Sequence, residues 1–341
     1  MSTPVRWGLL VTGGYADVAM RANAGSGTTE FVSVAHDSAA QAAEYAKTAG
    51  IARAAASREE LLADPEVEAV FIALHPVDHA EWAVRALEAG KHVMVEKPLA
   101  LTAADAERVF DAADAARRQC VEGVMFRHHP QTLLAKKLVE EGRIGELRYI
   151  YAACTASLPP DYFRRDRALG GGAMLDLGAF TLAAIRLFGG TPERVYAEEV
   201  RRGGGADHNF AATLRLPNDV LAQFEVGQEV ARGDALHIVG TLGRVIVPDP
   251  WFCRAESVEL SMQGPPPHGD PVSEHIPVDP DGSLGTTAPY AVSRLQFDAV
   301  SGAIAAGTEL PFGRADAVEQ ARVTEALFAS GAEGKAVTLP K

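Results

Sequence analysis

From Val5 to about Glu122 the chain alternates short apolar runs with amphipathic helical stretches, and no other feature limits its fold as much. The candidate strands are Val5 to Val11, Phe31 to Ala35, Ala69 to Leu74, His92 to Glu96 and Val121 to Met125. Between them, "AAQAAEYAKTAG" closes on Gly50 and "DHAEWAVRALEAG" closes on Gly90, where a left-handed glycine ends a helix. "TAADAERVFDAADAARR" opens on Thr102, a capping residue. Repeated βαβ units of this kind build an α/β domain around a doubly wound parallel sheet.

After Pro130 the texture changes. A helix "TLLAKKLVEEG" and a strand "ELRYIYAAC" lead to a glycine run and a second helix. The stretches "ERVYAEEV", "NFAATLRL", "VLAQFEVG", "ALHIVG" and "RVIVPD" then have the length and turn spacing of antiparallel strands. The expectation is an α+β domain with a large open, mainly antiparallel sheet. Gly264 to Gly285 reads as a surface loop or protruding arm and Tyr290 to Gly307 as a late helix. At 341 residues two domains are expected, 1–124 and 125–341.

Lys and Arg number 32 against 45 Asp and Glu, a net charge of -13, which argues against nucleic acid or an anionic membrane as partner. A small-molecule substrate fits better. Three scattered cysteines, Cys120, Cys154 and Cys253, suit a reducing compartment and form neither a disulfide framework nor a metal-ligand pattern. No metal is expected. The N-terminus "MSTPVRWGLLV" does not read as a leader, and no run approaches the ~20 apolar residues of a membrane span, so the cytoplasm is the expected compartment.

In a dinucleotide-binding fold the turn after the first strand holds a pyrophosphate. Here that turn is "VTGGYADVAM": Gly13 and Gly14 are present and Ala16 can pack helix on strand, but Val11 stands where the first glycine of G-x-G-x-x-A falls. Thr12, Gly13, Gly14 and Tyr15 are the cofactor candidates of this turn. At the end of the second strand, Asp37 can accept hydrogen bonds from a ribose and repel a 2′-phosphate, favouring NAD over NADP, with His36 softening the preference. It can equally cap the helix that follows; both roles stay open. Leu74 and His75, at the end of the third strand, and His79 beyond them complete the set with Glu96 and Lys97. "GKHVMVEKPLALT" delivers Glu96, Lys97 and Pro98 at the C-terminal edge of the sheet, where ligands bind. A lysine there can hold a hydroxyl and move its proton. The Lys97–Pro98 bond can be cis.

Arg127, His128 and His129 follow the last strand of the first half; adjacent histidines point to different sides, which disfavours a metal pair. Tyr162, Arg164, Arg165 and Arg167 precede the glycines as a solvated charged loop or a loop that grips substrate. In "GGGAMLDLGAF" the glycines permit a sharp turn or a close approach, and Asp176 lies on the first turns of a helix. A second proton-handling group would be expected one turn on, yet that residue is Phe180.

With "EKP" at Glu96 to Pro98, "RHHP" at Arg127 to Pro130, "IGEL" at Ile144 to Leu147 and "GGGAMLDLG" at Gly170 to Gly178, the chain resembles the glucose-fructose oxidoreductase and inositol dehydrogenase family. "GTLGRVIVPDPWF" and "YAVSRLQFDAV" are similar to its branch of dimeric dihydrodiol and xylose dehydrogenases. The resemblance implies an N-terminal Rossmann domain, a nicotinamide cofactor, NAD or NADP, and hydride transfer at a secondary alcohol or ketone of a sugar, polyol or cyclic diol. By motif, Lys97 contacts the reacting hydroxyl and the nicotinamide ribose, while Asp176 orients substrate or tunes the lysine. Arg127, Tyr162 and Phe180 fall to the substrate side. A homo-dimer or homo-tetramer through the C-terminal sheet is implied as well. The family usually holds histidine or tyrosine at the position of Phe180. With phenylalanine there, Lys97 becomes the proton-transfer group and Tyr162 or His129 a stand-in for the missing donor. The alternative is a dinucleotide-binding sensor with weak or lost catalysis.

Overall fold

The computed structural model describes residues 3–12, 15–264 and 269–340. The chain divides into two compact units, Met1–Gly123 with Ser293–Ala321, and Val124–Val292 with Arg322–Lys341.

The first unit runs β1 (Val5–Val11), α1 (Tyr15–Ala22), β2 (Thr29–Ala35), α2 (Ala39–Ala49), β3 (Arg53–Ala54), α3 (Arg58–Ala63), β4 (Ala69–Ala73), α4 (Pro76–Glu88), β5 (His92–Glu96), α5 (Ala103–Ala116) and β6 (Cys120–Gly123). Its six strands pair in parallel in the order β3-β2-β1-β4-β5-β6. This is a Rossmann sheet, with its switch of direction between β1 and β4. The strands are apolar on both faces because both are covered: Trp7, Leu9, Val11, Phe71 and Met94 share one core, while Leu10, Val70, Ile72, Val93 and Val95 share the other.

The second unit continues with a 3-10 turn (Met125–His128), α6 (Pro130–Glu140), β7 (Leu147–Ser157), a π-helical turn (Met174–Gly178) and α7 (Ala179–Gly189). Then come β8 (Arg194–Arg201), β9 (Asp207–Arg215), β10 (Leu221–Gly227), β11 (Glu229–Gly240), β12 (Gly243–Ile246), β13 (Ser257–Met262) and β14 (Val272–Pro277). The chain ends with α8 (Ala291–Ala306), α9 (Arg314–Glu333) and β15 (Val337–Thr338). The nine-stranded sheet β14-β13-β12-β11-β7-β10-β9-β8-β15 is antiparallel except where β10 meets β7. Strand β10 alternates exposed and buried residues: Ala222, Phe224 and Val226 face a core shared with α7, and Leu221, Gln223 and Glu225 face out.

Three expectations need correction. The late helix α8 and the start of α9, assigned above to 125–341, cluster with the first unit. Phe297 packs edge-on against Trp7, Phe31 and Phe71 at 5.3–5.4 Å, and the Trp7 indole N–H donates to the Ser301 hydroxyl at 3.0 Å. Part of the expected Gly264 to Gly285 loop, Val272–Pro277, is β14, an edge strand with no buried face to give it an apolar period; Pro265 to His268 lie outside the described residues. The last strand of the parallel sheet stops at Gly123 and Met125 belongs to a 3-10 turn. Arg167–Gly189 is apolar enough in composition to cross a membrane, but most of it, α7 included, is buried within its unit.

Candidate active site

The candidate residues fall into two groups, one in each unit. In the first unit, Val11 still belongs to β1, opposite Ala73, and its side chain is fully buried beside Trp7, Ala16 and Ala19. Its side chain is therefore part of the core of the sheet. Thr12 N–H donates to the Ala73 carbonyl at 3.3 Å, and Tyr15 starts α1 with its ring 6.4 Å from Phe71. Gly13 and Gly14 lie outside the described residues.

Asp37 is not the cap of α2. Ser38 is, its hydroxyl accepting from Gln41 N–H at 3.3 Å. The Asp37 carboxylate, 47% exposed, instead pairs at 2.7 Å with Arg58, the first residue of α3, which also lies over the Trp82 ring at 5.1 Å. Its backbone N–H donates to His36 Nδ1 at 2.8 Å. No sequence signal links Arg58 to Asp37, since 21 residues and a two-residue strand separate them.

The C-terminal ends of β4, β5 and β6 hold a second set. Glu96 and Lys97 are buried, 5% and 3% exposed, and the Lys97–Pro98 peptide is cis. His79 of α4 is buried with its two ring nitrogens 2.7 Å from the Pro98 carbonyl and 3.1 Å from that of Leu74. From the other side Glu122 of β6 accepts from Leu99 N–H at 2.9 Å. His79 and Glu122 thus clamp the turn that presents Lys97. His75 stands at the cap position of α4 without capping it through its side chain, and Leu74 is buried.

In the second unit the glycine run approaches the protein itself. A Cβ on Gly171 would lie 2.5 Å from the Arg164 carbonyl, and Gly172 N–H donates to that carbonyl at 2.8 Å. The fold brings the preceding loop onto Asp176: its Oδ1 accepts from the Arg164 guanidinium, and its Oδ2 accepts from Gln228 Nε2 at 3.2 Å. Arg165 turns inward too, pairing with Glu229, which also meets His208 at 2.8 Å and Arg202 at 2.9 Å. Arg164 and Arg165 are therefore neither a solvated loop nor free arms. Asp176 sits on a π-helical turn, a local widening that recurs at functional sites. Gln228 and the buried Asp207 escape a reading of the sequence, because neither stands in a motif.

Phe180 is 7% exposed, stacked on Trp251 at 6.1 Å and edge-on to Phe126 at 6.3 Å. His129 cannot replace the donor missing there: it is fully buried, its Nδ1 accepts from Gln131 N–H as the cap of α6, and its Nε2 faces the Thr286 carbonyl at 3.1 Å. His128, whose ring burial and Arg127 push down to about 4, is neutral at physiological pH. Arg127 is 2% exposed and Tyr162 is half-buried, with Phe163 4.9 Å away. No group of His, Cys, Asp and Glu suited to a metal ion occurs among the described residues.

A parallel sheet in this order, an acidic group at the end of β2 and a buried lysine at the end of β5 fit a dinucleotide. Comparison with known proteins agrees. Residues 5–124 match the oxidoreductase family with an NAD-binding Rossmann fold, and residues 132–246 match the GFO/IDH/MocA C-terminal domain. The chain is 37% identical over 240 residues to a dTDP-3,4-didehydro-2,6-dideoxy-alpha-D-glucose 3-reductase of Streptomyces violaceoruber, covering 67% of this chain and 69% of the reductase. It is 29% identical over 317 residues to a D-xylose 1-dehydrogenase (NADP(+)) of Haloferax volcanii, covering 91% and 92%. Its fold matches the aldose-aldose oxidoreductase from Caulobacter crescentus complexed with glycerol at a TM-score of 0.86 and 26% identity, over 98% of this chain and 100% of the other. With both halves matched and relatives along most of its length, the chain belongs to the GFO/IDH/MocA family of NAD-binding oxidoreductases.

Proposed function

We propose that this oxidoreductase transfers hydride between a nicotinamide cofactor and a secondary alcohol or ketone of a sugar, polyol or cyclic diol, with Lys97 moving the proton. The observation that carries the reading is the burial of Lys97 at the sheet edge, on a turn clamped by His79 and Glu122. The cofactor, when bound, supplies or receives the hydride. Lys97 Nζ holds the reacting oxygen and gives or takes its proton, and burial keeps competing water away. Asp176, paired with Arg164, orients substrate hydroxyls as an acceptor. Phe180 shapes an apolar wall, with Arg127 and Tyr162 assigned to the substrate side.

Asp37 favours NAD, and the Arg58 guanidinium beside it reduces the repulsion a 2′-phosphate would meet. The open face of the nine-stranded sheet, which carries Tyr151, Tyr196 and Leu221, suits pairing of two or four copies. Titration of the protein with NADH and NADPH, followed by intrinsic fluorescence, tests the cofactor assignment. NADH is expected to bind more tightly, and Arg58→Ala to weaken NADPH about tenfold while changing NADH little. No binding of either by a folded sample contradicts the reading. Binding without turnover on any sugar or polyol supports a sensor instead.

A further inference from the structure

Asp207 opens β9 and is 1% exposed. A carboxylate at that depth is costly unless its oxygens are engaged. Its Oδ2 accepts a 2.7 Å hydrogen bond from Met174 N–H, the first amide of the turn that carries Asp176. That amide is one of the donors every helix start leaves over, and Ala173 at the cap position has no side-chain acceptor for it. The other oxygen bears on Gly172, where a Cβ would lie 2.2 Å from Oδ1 and φ is 136°. Only glycine suits that position, so the third glycine of the run and Asp207 are fitted to each other. The same strand holds Asp176 from a second direction: the His208 carbonyl accepts from Gln228 N–H at 2.8 Å, and Gln228 in turn donates to Asp176.

We propose that Asp207 is a positioning residue for Asp176: its carboxylate fixes the start of the Met174–Gly178 turn and thereby the direction in which Asp176 is presented. The inference rests on the assignment of Asp176 to the reacting site. Charge matters here as well as shape, because an anion at a helix start is favoured by the amide dipoles and accepts more strongly than a neutral acid. Burial pushes Asp207 up to about 6, and the Glu199 carboxylate of β8 acts in the same direction. Met174 N–H, the backbone N–H of Asp207 and the Arg167 guanidinium oppose it. Glu199 is itself paired with Arg201 at 2.8 Å, and Arg167 lies over the Phe328 ring at 5.0 Å. With its folded value above that of free aspartate, Asp207 favours folding at low pH, and that contribution is lost as pH rises through about 6. The charge is thus kept at neutral pH against stability, as expected of a group retained for function.

The test compares the wild type with Asp207→Asn, which keeps the shape and removes the charge. Methionine-selective isotope labelling reports the Met174 amide proton, which should titrate with a midpoint near 6 in the wild type and stay flat in the variant. Wild-type turnover should exceed that of the variant about tenfold near pH 7.5, with the two converging towards about pH 5. A Met174 amide that does not titrate around pH 6, or a turnover ratio independent of pH, overturns the proposal. Should the variant not fold, the wild-type titration decides alone. If no substrate is turned over yet Met174 titrates, the oxidoreductase reading fails while the anchoring of the turn stands.

Discussion

At Phe180 a single ring decides what the second unit can contribute. It stacks on Trp251 at an interplanar angle of 21° and meets Phe126 at 69°, so it is a packing residue with no proton to give. Removing the ring should be expensive: Phe180→Ala is expected to lower stability by about 3–5 kcal/mol in urea unfolding. Phe180→Tyr keeps the ring and adds a hydroxyl. If Lys97 already moves the proton, this variant stays folded and gains less than about tenfold in turnover. A gain of several hundredfold would show that the natural protein lacks its principal proton donor. Asp176 makes the complementary point, because its carboxylate is paired with Arg164 and bonded to Gln228 before any substrate arrives. It can orient a hydroxyl, but it is poorly placed to act as a free base.

Among the elements, α8 departs most from what its place in the chain suggests. Its Phe297 is fully buried against three aromatic rings of the parallel-sheet unit, and Thr28, Thr29 and Trp7 hydrogen-bond to Asp298 and Ser301. Phe297→Ala should therefore destabilise the first unit by about 3–5 kcal/mol, read as faster amide exchange in β1, β2 and β4; exchange that accelerates only in the nine-stranded sheet would contradict this. The sequence discloses α8 as a helix but not the sheet it covers, since apolar period reports a buried face and not its partner. The strands of the first unit were legible because both faces are buried and the runs are continuously apolar. Strand β3 has two exposed residues and β14 an exposed edge, so neither carries a period. The positions of Lys97 and Asp37 at strand ends were legible because each follows a continuous apolar run. Their supports were not: Arg58 lies 21 residues from Asp37, Gln228 lies 52 from Asp176, and Asp207 lies 33 from Met174. Those pairings are products of the tertiary fold.

For the molecule as a whole, the division of labour follows the two units. The first presents a Rossmann sheet edge with Asp37, Arg58 and the clamped Lys97; the second presents Asp176 on a turn held by Arg164, Gln228 and Asp207. In this reading hydride transfer depends on a proton moved by Lys97. The direct measurement is the turnover of Lys97→Ala against wild type on one sugar or polyol substrate, with cofactor binding measured on the same samples. A loss of about 10²–10⁴-fold in kcat with NADH still bound is expected. Turnover near the wild-type rate in a folded Lys97→Ala sample would contradict it.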